Sequence, residues 1–129
     1  MSCSSGPSPI AYRQDECVFC KMTIMDAKYG CQIMNNKGKA YNFDDLSCLI
    51  GYLKADIIDS SQIKGIYVSD YLTDGLLIQA ETAFYVASAQ LRSPMAGNIA
   101  AFSNSDSAKA YAVKWGGTLA AWKTIKSTF

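Results

Sequence analysis

The chain has 129 residues, half of them apolar and 18% charged, and its 12 Lys and Arg against 11 Asp and Glu give a net charge of +1. This composition is typical of one globular domain and excludes a chain that is mainly disordered. The near balance of charge argues against nucleic-acid binding. No apolar run reaches the roughly 18 residues that a membrane-spanning helix needs.

The chain contains no histidine. This absence excludes Ser-His-Asp and Cys-His catalysis within the chain, and also zinc catalysis that depends on histidine ligands. A metal site must therefore use sulfur or oxygen ligands, and five cysteines and five methionines supply the sulfur. Because there is also no cluster of acid and base groups, we expect a protein that is not an enzyme.

The first 16 residues are predicted to form a flexible leader, because the stretch Met1–Pro9 consists mostly of Ser, Pro and Gly. A cysteine followed by such a leader is typical of a bacterial lipoprotein trimmed to its lipid-bearing cysteine. Cys3 is therefore predicted to be the lipidation site that anchors the native protein to a membrane. Met1 and Ser2 would then be additions, and the chain a soluble, truncated form. The alternative is an intact cytosolic chain with a chance cysteine near its start.

The first half of the folded chain is predicted to contain two strands, a helix and a third strand. Tyr29–Asn35 and Lys39–Phe43 flank an Asn/Gly-rich link, which is typical of a hairpin. Asp44 can cap the helix that follows. Lys64–Asp70 alternates between apolar and polar residues, as a half-buried strand does. The apolar face of the helix repeats at helical spacing and consists of Leu46, Leu49, Ile50 and Leu53.

The second half is predicted to repeat that order. Thr82–Ala87 and Asn98–Ser103 are predicted strands, and Ser103 or Ser105 can cap the next helix. Thr118–Trp122 is predicted to be the last strand. The apolar face of the second helix consists of Ala108, Tyr111, Ala112 and Trp115.

The two halves have the same predicted order, and Phe43 and Phe102 occupy matching places 59 residues apart. We therefore predict an α+β fold of two small strand-strand-helix-strand halves with largely antiparallel sheets. The predicted division is 1–16 for the leader, 17–72 for the first half and 73–129 for the second.

The motif Cys17-x-x-Cys20-x-Met22 is the main candidate for a functional site. A C-x-x-C loop can place two sulfurs on one ion, and Met22 adds a thioether within reach. Thiolates and thioethers are soft ligands that select Cu(I), whereas zinc rarely uses a thioether. Met95, in a Pro/Gly-containing loop, is a further candidate thioether ligand from the second half, or a loop residue that covers the core.

Several alternatives remain open from the residues alone. The Cys17–Cys20 pair could form a structural disulfide or a redox-active dithiol, or half of a zinc site completed by Cys31 and Cys48. Cys31 is predicted to lie in the core, Cys48 on the helix side opposite the leucine face, and a disulfide between them is left open. The pair Asp44-Asp45 could act as acid and base, but helix capping is the favoured role.

The chain resembles the NosL family, the accessory lipoproteins of nitrous-oxide reductase, from about residue 17 to residue 122. This resemblance implies a protein anchored on the periplasmic side of a bacterial membrane that binds Cu(I). It also implies copper delivery to nitrous-oxide reductase with an ABC-type membrane complex, and a fold like the amino-terminal part of alkylmercury lyase. The motifs that carry the resemblance are Cys17-x-x-Cys20-x-Met22, Tyr41-Asn42-Phe43-Asp44-Asp45, Pro94-Met95 and Gly116-Gly117.

The family's Cys-Gly-Met element falls on Cys20, Lys21 and Met22, so lysine replaces glycine while both ligand types remain. The family's Pro-Met loop falls on Pro94-Met95. Some family members are thought to use a histidine ligand, and Asn98 stands where one would follow the loop. The resemblance therefore implies sulfur coordination, or coordination completed by solvent or a partner. The predicted ligands, in order, are Cys20, Met22, Cys17 and Met95.

Overall fold

The computed structural model describes residues 6–128, and within that range it has seven strands and three helices. The strands form two antiparallel sheets, and this mixture of helices and antiparallel sheets confirms the predicted α+β class. The elements are β1 (Cys31–Asn35), β2 (Ala40–Phe43), α1 (Leu46–Lys54), β3 (Ile63–Ser69), β4 (Leu77–Gln79), β5 (Phe84–Ala87), β6 (Ile99–Phe102), α2 (Ser105–Trp115), β7 (Thr118–Ala120) and α3 (Trp122–Thr128).

The first sheet has four strands in the order β2-β1-β3-β4, with β1 near its centre. β1 and β2 form the predicted hairpin, in which Cys31 pairs with Phe43 and Gly38 takes a left-handed φ of 84° at the turn. The first four residues of β1 are all buried, because α1 contacts β1 and the amino-terminal segment hydrogen-bonds to Gln32. This central strand therefore runs through the core.

The helix α1 begins one residue later than predicted, because Asp45 and not Asp44 is its N-cap. Asp45 has an extended backbone, and its side chain accepts a hydrogen bond from the N–H of Ser47 at 3.1 Å. Only one of two adjacent aspartates can occupy the capping position. The predicted apolar face is confirmed, because Leu46, Leu49 and Ile50 are buried and Leu53 is partly buried against the main core.

The first sheet extends beyond residue 72, because the strand β4 pairs with β3. This strand was not predicted. It has only three residues and follows a polar turn in which Gly75 has a left-handed φ of 84°. So short an apolar stretch shows no periodicity that would mark it as a strand.

The second sheet has the order β6-β5-β7, and α2 packs across it. The cap of α2 is Asn104, which accepts hydrogen bonds from the N–H groups of Asp106 and Ser107 at 2.8 and 3.2 Å. This corrects the predicted cap at Ser103 or Ser105, since the residue between them has the extended backbone that a cap requires. The caps of α1 and α2 thus lie in matching places of the two halves.

The last strand is shorter than the predicted Thr118–Trp122, since β7 ends at Ala120. The chain then enters α3, which was not predicted. Trp122 and Ile125 lie three residues apart and are both buried, so this short helix covers one side of the main core. An apolar pair at a single helical spacing is too little to predict a helix from sequence.

The amino-terminal segment packs against the first sheet from Ser8 onward. The backbone N–H of Ser8 donates to the Gln32 side chain at 2.9 Å, and the Gln32 amide donates back to the Ser8 carbonyl at 2.7 Å. Ile10 is buried in the main core. Ordered structure therefore begins inside the segment predicted to be a leader, because Gln32 offers paired polar groups and Ile10 an apolar anchor. Cys3 lies outside the described residues.

The two halves meet where residue 70 begins to pair with β6. Asp70 forms a parallel bridge with Ala101, and the N–H of Tyr71 donates to the Ala101 carbonyl at 2.8 Å. Residues from both halves contribute to the larger buried cluster. Within residues 6–128, no helix has the length and apolar character required to cross a membrane.

Candidate metal centre

Cys17 and Cys20 lie at two corners of one tight turn. The N–H of Cys17 donates to the Met22 carbonyl at 2.8 Å, and the N–H of Lys21 donates to the Cys17 carbonyl at 2.9 Å. Lys21 takes a left-handed φ of 68°, which reverses the chain between Cys20 and Met22. Just outside the turn, Glu16 and Thr23 form an antiparallel bridge that closes its base.

Phe19 fastens this turn to α1. Its ring packs edge-on against Tyr52, with 6.3 Å between the ring centroids. It also lies against Gly51, where an added Cβ would come within 2.9 Å of the Phe19 ring. A glycine in the middle of a helix is unfavourable, so its use here is explained by the close approach of the turn.

The turn and the start of α1 bring four ligand atoms together. Cys17, Cys20, Asp44 and Cys48 each offer one atom, and these atoms all lie within 4.8 Å of one another. Asp44 immediately precedes the helix cap, and Cys48 lies in the first turn of the helix. The side chains of Cys17, Asp44 and Cys48 are buried, whereas Cys20 is half-buried. The cluster is therefore open to solvent on the Cys20 side.

The sulfur of Cys17 lies where it is stabilised as a thiolate. A hydrogen bond from the Cys48 thiol is the main cause that lowers the pKa of Cys17, to about 6, and backbone N–H groups contribute further. One of these is the N–H of Cys20, at 3.4 Å from Cys17 Sγ. Donors directed at the charged form of an acid favour that form, so Cys17 is ionised at neutral pH.

The other two thiols of the cluster keep their protons. Burial, the largest cause, raises the pKa of Cys20 to about 11, and its thiol donates to the Asp44 carboxylate oxygens at 3.4 and 3.5 Å. The hydrogen bond to Cys17 raises the pKa of Cys48 above its ordinary value. The metal-free centre thus holds the Cys17 thiolate beside two neutral thiols.

Of the four predicted ligands, two lie in the cluster and two lie at the protein surface. Cys17 and Cys20 lie in the cluster, whereas Met22 follows on the same turn with 60% of its surface exposed. Met95 is 45% exposed in a loop of the second half, and its backbone N–H donates to Asp45 at 2.8 Å. Cys17 and Cys20 are thus brought together, while the two methionines lie at the surface.

The leading sequence hypothesis did not include Asp44 or Cys48, and Cys48 joined Cys17 and Cys20 only in the zinc alternative. Asp44 was assigned to the helix cap, and Cys48 was considered only together with Cys31. Cys31 lies instead in the core, where its thiol donates to the Tyr29 carbonyl at 3.2 Å. The signal available was proximity along the chain, since Asp44 and Cys48 lie only four residues apart on either side of the helix cap.

The geometry also bears on the predicted disulfides and on the predicted acid-base pair of Asp44 and Asp45. All four cysteines in the described part of the chain carry free thiols, so neither proposed disulfide is present there. Asp45 accepts three backbone N–H groups, from Ser47, Met95 and Gly97. It therefore does not form an acid-base pair with Asp44.

Comparison with known proteins places this cluster in a family context. The fold is similar to that of the copper chaperone NosL from Shewanella denitrificans, with a TM-score of 0.79 and 23% identity over 95% of this chain and 98% of that one. No curated protein sequence matches the chain. A sequence model of the NosL family matches residues 9–129. Because this match covers nearly the whole chain, the protein belongs to the NosL family.

Proposed function

We propose that this protein is a metallochaperone that binds Cu(I) outside the cytoplasm and delivers it for the maturation of nitrous-oxide reductase. Membership of the NosL family and a fold shared with a copper chaperone support this function. The observation that carries it is the convergence of three cysteine sulfurs at a site open on one side. Lipid attachment at Cys3 and cooperation with an ABC-type membrane complex complete the proposal.

The donor set suits a soft ion. Cys17, Cys20 and Cys48 offer three sulfurs, and thiolates select Cu(I) over hard cations. Cys17 is already ionised, so it is the group that first attracts the incoming ion. Cys20 and Cys48 each lose a proton when they bind, because a thiolate and not a thiol is the metal ligand.

A chaperone must also release its cargo. Cys20 is the half-buried ligand of the cluster, and a recipient's ligands can attack the ion from that side while the buried sulfurs still hold it. Met22 lies two residues further along the same turn and is 60% exposed. We propose that its thioether binds copper in transit and that Met95 supplies a second thioether from the other half.

The binding site is tested by anaerobic titration of the reduced protein with Cu(I) against a chromophoric competitor. Cys17→Ser, Cys20→Ser and Cys48→Ser are each expected to weaken Cu(I) binding by at least about 10- to 100-fold, the range seen when even outer-shell groups are lost. Cys31→Ala is the matched control, since it removes a buried thiol outside the cluster. Equal affinity in all four variants would contradict the assignment.

A structural zinc site is the second candidate, because Asp44 supplies an oxygen as the fourth ligand of a tetrahedral set. The two functions differ in their need for this oxygen. Asp44→Asn is expected to weaken Zn(II) binding and leave Cu(I) binding to the three sulfurs nearly unchanged. A protein that prefers Zn(II) and unfolds when a chelator removes it would favour the zinc site over the chaperone.

Delivery is tested separately from binding. Copper-loaded protein mixed with copper-free nitrous-oxide reductase under anaerobic conditions is expected to transfer its copper to the reductase. Met22→Leu is expected to slow this transfer more than it weakens equilibrium binding. Transfer no faster than that of free Cu(I) from the competitor would contradict the delivery role.

A further inference from the structure

The buried carboxylate of Asp45 joins the two halves of the protein next to the metal centre. Asp45 is 1% exposed. Its Oδ1 accepts the N–H of Ser47 at 3.1 Å, while its Oδ2 accepts the N–H groups of Met95 at 2.8 Å and Gly97 at 3.3 Å. Within the described residues, no Lys or Arg forms an ion pair with it. The charge of this carboxylate is therefore met by backbone N–H groups from both halves.

The loop that reaches Asp45 is shaped for this contact. Its ends are tied together, because the N–H of Asn98 donates to the Ser93 hydroxyl at 2.7 Å and the N–H of Ala96 donates to the Ser93 carbonyl at 3.1 Å. Ala96 and Asn98 both take left-handed backbone conformations, with φ of 62° and 55°. Between them, a Cβ on Gly97 would lie 2.6 Å from Asp45 Oδ1. The loop 93–98 thus presents its backbone N–H groups to a single carboxylate.

The same carboxylate also fixes the helix start that carries two of the cluster's ligands. Asp45 caps α1, so it holds Cys48 in the first helical turn. Its neighbour Asp44 accepts the hydrogen bond from Cys20. A movement of the loop 93–98 therefore acts directly on the carboxylate that orients these groups.

We propose that Asp45 is a positioning residue that holds the loop 93–98 beside the metal centre and so slows the exchange of the bound ion. This inference rests on the proposed function, because it assumes that the cluster binds a metal. Through Asp45 the second half acts on a site whose cysteine ligands all come from the first half. Release of the two loop N–H groups frees Met95 from this anchor and leaves the helix start less firmly held.

The substitution Asp45→Asn separates the two roles of this residue. When the remaining oxygen faces Ser47 it still caps α1, because Asn and Asp cap helices about equally well; faster hydrogen exchange at the Ser47 amide would reveal the opposite orientation. The amide NH2 that replaces the second oxygen cannot accept hydrogen bonds from Met95 and Gly97. We expect Cu(I) to pass to a competing chelator about tenfold faster than from the unchanged protein, matching the lower end of the range by which loss of an outer-shell group weakens metal binding.

A second readout needs no metal. In the metal-free protein, Asp45→Asn is expected to speed hydrogen exchange at the amides of Met95 and Gly97 and leave exchange in the interior of α1 unchanged. Gly97→Ala perturbs the same contact from the loop side and is expected to speed Cu(I) exchange in the same way, so the test does not depend on one variant folding. Asp59→Asn is the matched control, because Asp59 caps an exposed turn by accepting the N–H of Ser61 at 3.0 Å.

The outcomes distinguish this inference from the proposed function. Unchanged Cu(I) exchange rates and loop amide exchange in both Asp45→Asn and Gly97→Ala would overturn the positioning role while leaving the chaperone function intact. Faster exchange of the loop amides with no Cu(I) binding by the unchanged protein would mean that the proposed function fails although the contact exists. Equal effects in Asp59→Asn would also overturn the positioning role, because they would show a general loss of stability.

Discussion

Lys21 shows how one residue sets the geometry of the sulfur turn. It takes a left-handed φ of 68° between Cys20 and Met22, a conformation that costs an L-residue about 1–2 kcal/mol. The resemblance to the NosL family implies glycine at this position, and the backbone is consistent with it, because glycine adopts this conformation without a steric penalty. The sequence identified the departure from the family pattern, and only the structure showed that the departure strains the turn.

The substitution Lys21→Gly is expected to stabilise the metal-free protein, because it removes this steric penalty. Part of the gain is lost to the greater freedom of glycine in the unfolded chain, so the net increase in the free energy of unfolding is expected to be about 0.5–1 kcal/mol. Urea denaturation under reducing conditions measures it. Lys21→Ala is the control, and an equal gain from alanine would show that the lysine side chain and not the backbone conformation was responsible.

Cys17 makes the stability of the metal-free protein depend on pH. Its pKa is lowered from 9.0 to about 6 in the folded protein. The ionised Cys17 therefore adds its full contribution to the free energy of unfolding above pH 9, and this contribution is lost as the pH falls toward 6. The raised pKa of Cys20 acts in the opposite sense and only at higher pH, because its neutral form is the one that is favoured.

We expect the difference in free energy of unfolding between the unchanged protein and Cys17→Ser to grow as the pH rises from 6 to 9. The comparison cancels the titration of groups that do not contact Cys17, while the raised pKa values of Cys20 and Cys48 keep both thiols neutral over most of this range. Denaturation in metal-free, reducing buffer at several pH values provides the measurement. A difference that stays constant over this range would contradict a thiolate at Cys17.

At the scale of elements, the sequence predicted the longer and more periodic ones well. The hairpin β1–β2, the helices α1 and α2 and the central strands follow from alternation and helical spacing. Both helix caps were misplaced by one residue, because each lies within a run of residues that all can cap, and only the backbone conformation selects one of them. β4 and α3 were missed because they are short and are stabilised by tertiary contacts.

A substitution at the start of α2 tests whether Asn104 is the residue that caps this helix. Asn104→Ala is expected to lower the free energy of unfolding by about 1 kcal/mol, because two N–H groups at the helix start lose their acceptor. Ser105→Ala is the control at the neighbouring position that the sequence also favoured, and we expect it to have a smaller effect, within about 0.5 kcal/mol. A larger loss from Ser105→Ala would contradict the assigned cap.

At the scale of the whole molecule, the candidate centre is assembled from separate parts of the first half. The sequence predicted Cys17 and Cys20 because their spacing is short and local. It did not predict Asp44 and offered Cys48 only in the zinc alternative, because their approach depends on how the turn packs against α1 through Phe19. The exposed methionines Met22 and Met95 were found from sequence alone, and their binding to copper remains a prediction.

Copper is expected to stabilise the whole fold, because an ion that binds only the folded state shifts the unfolding equilibrium. At free Cu(I) one hundred times the dissociation constant, the gain is about 2.7 kcal/mol. Thermal unfolding with and without Cu(I) under anaerobic conditions measures it, and a Cu(I) chelator is expected to reverse the shift. Cys48→Ser should show a much smaller shift, and an undiminished one would exclude Cys48 as a ligand.

X-ray absorption spectroscopy of the Cu(I)-loaded protein tests the central claim most directly, because it identifies the atoms bound to copper. We predict sulfur neighbours only, at least three in number, with one fewer in Cys48→Ser and no change in Asp44→Asn. The three cysteine sulfurs and the Asp44 oxygen all lie within 4.8 Å of one another, so the geometry alone allows copper to bind sulfur only or sulfur and oxygen together. Copper bound mainly through oxygen, or a spectrum that is identical in Cys48→Ser, would contradict the three-cysteine centre.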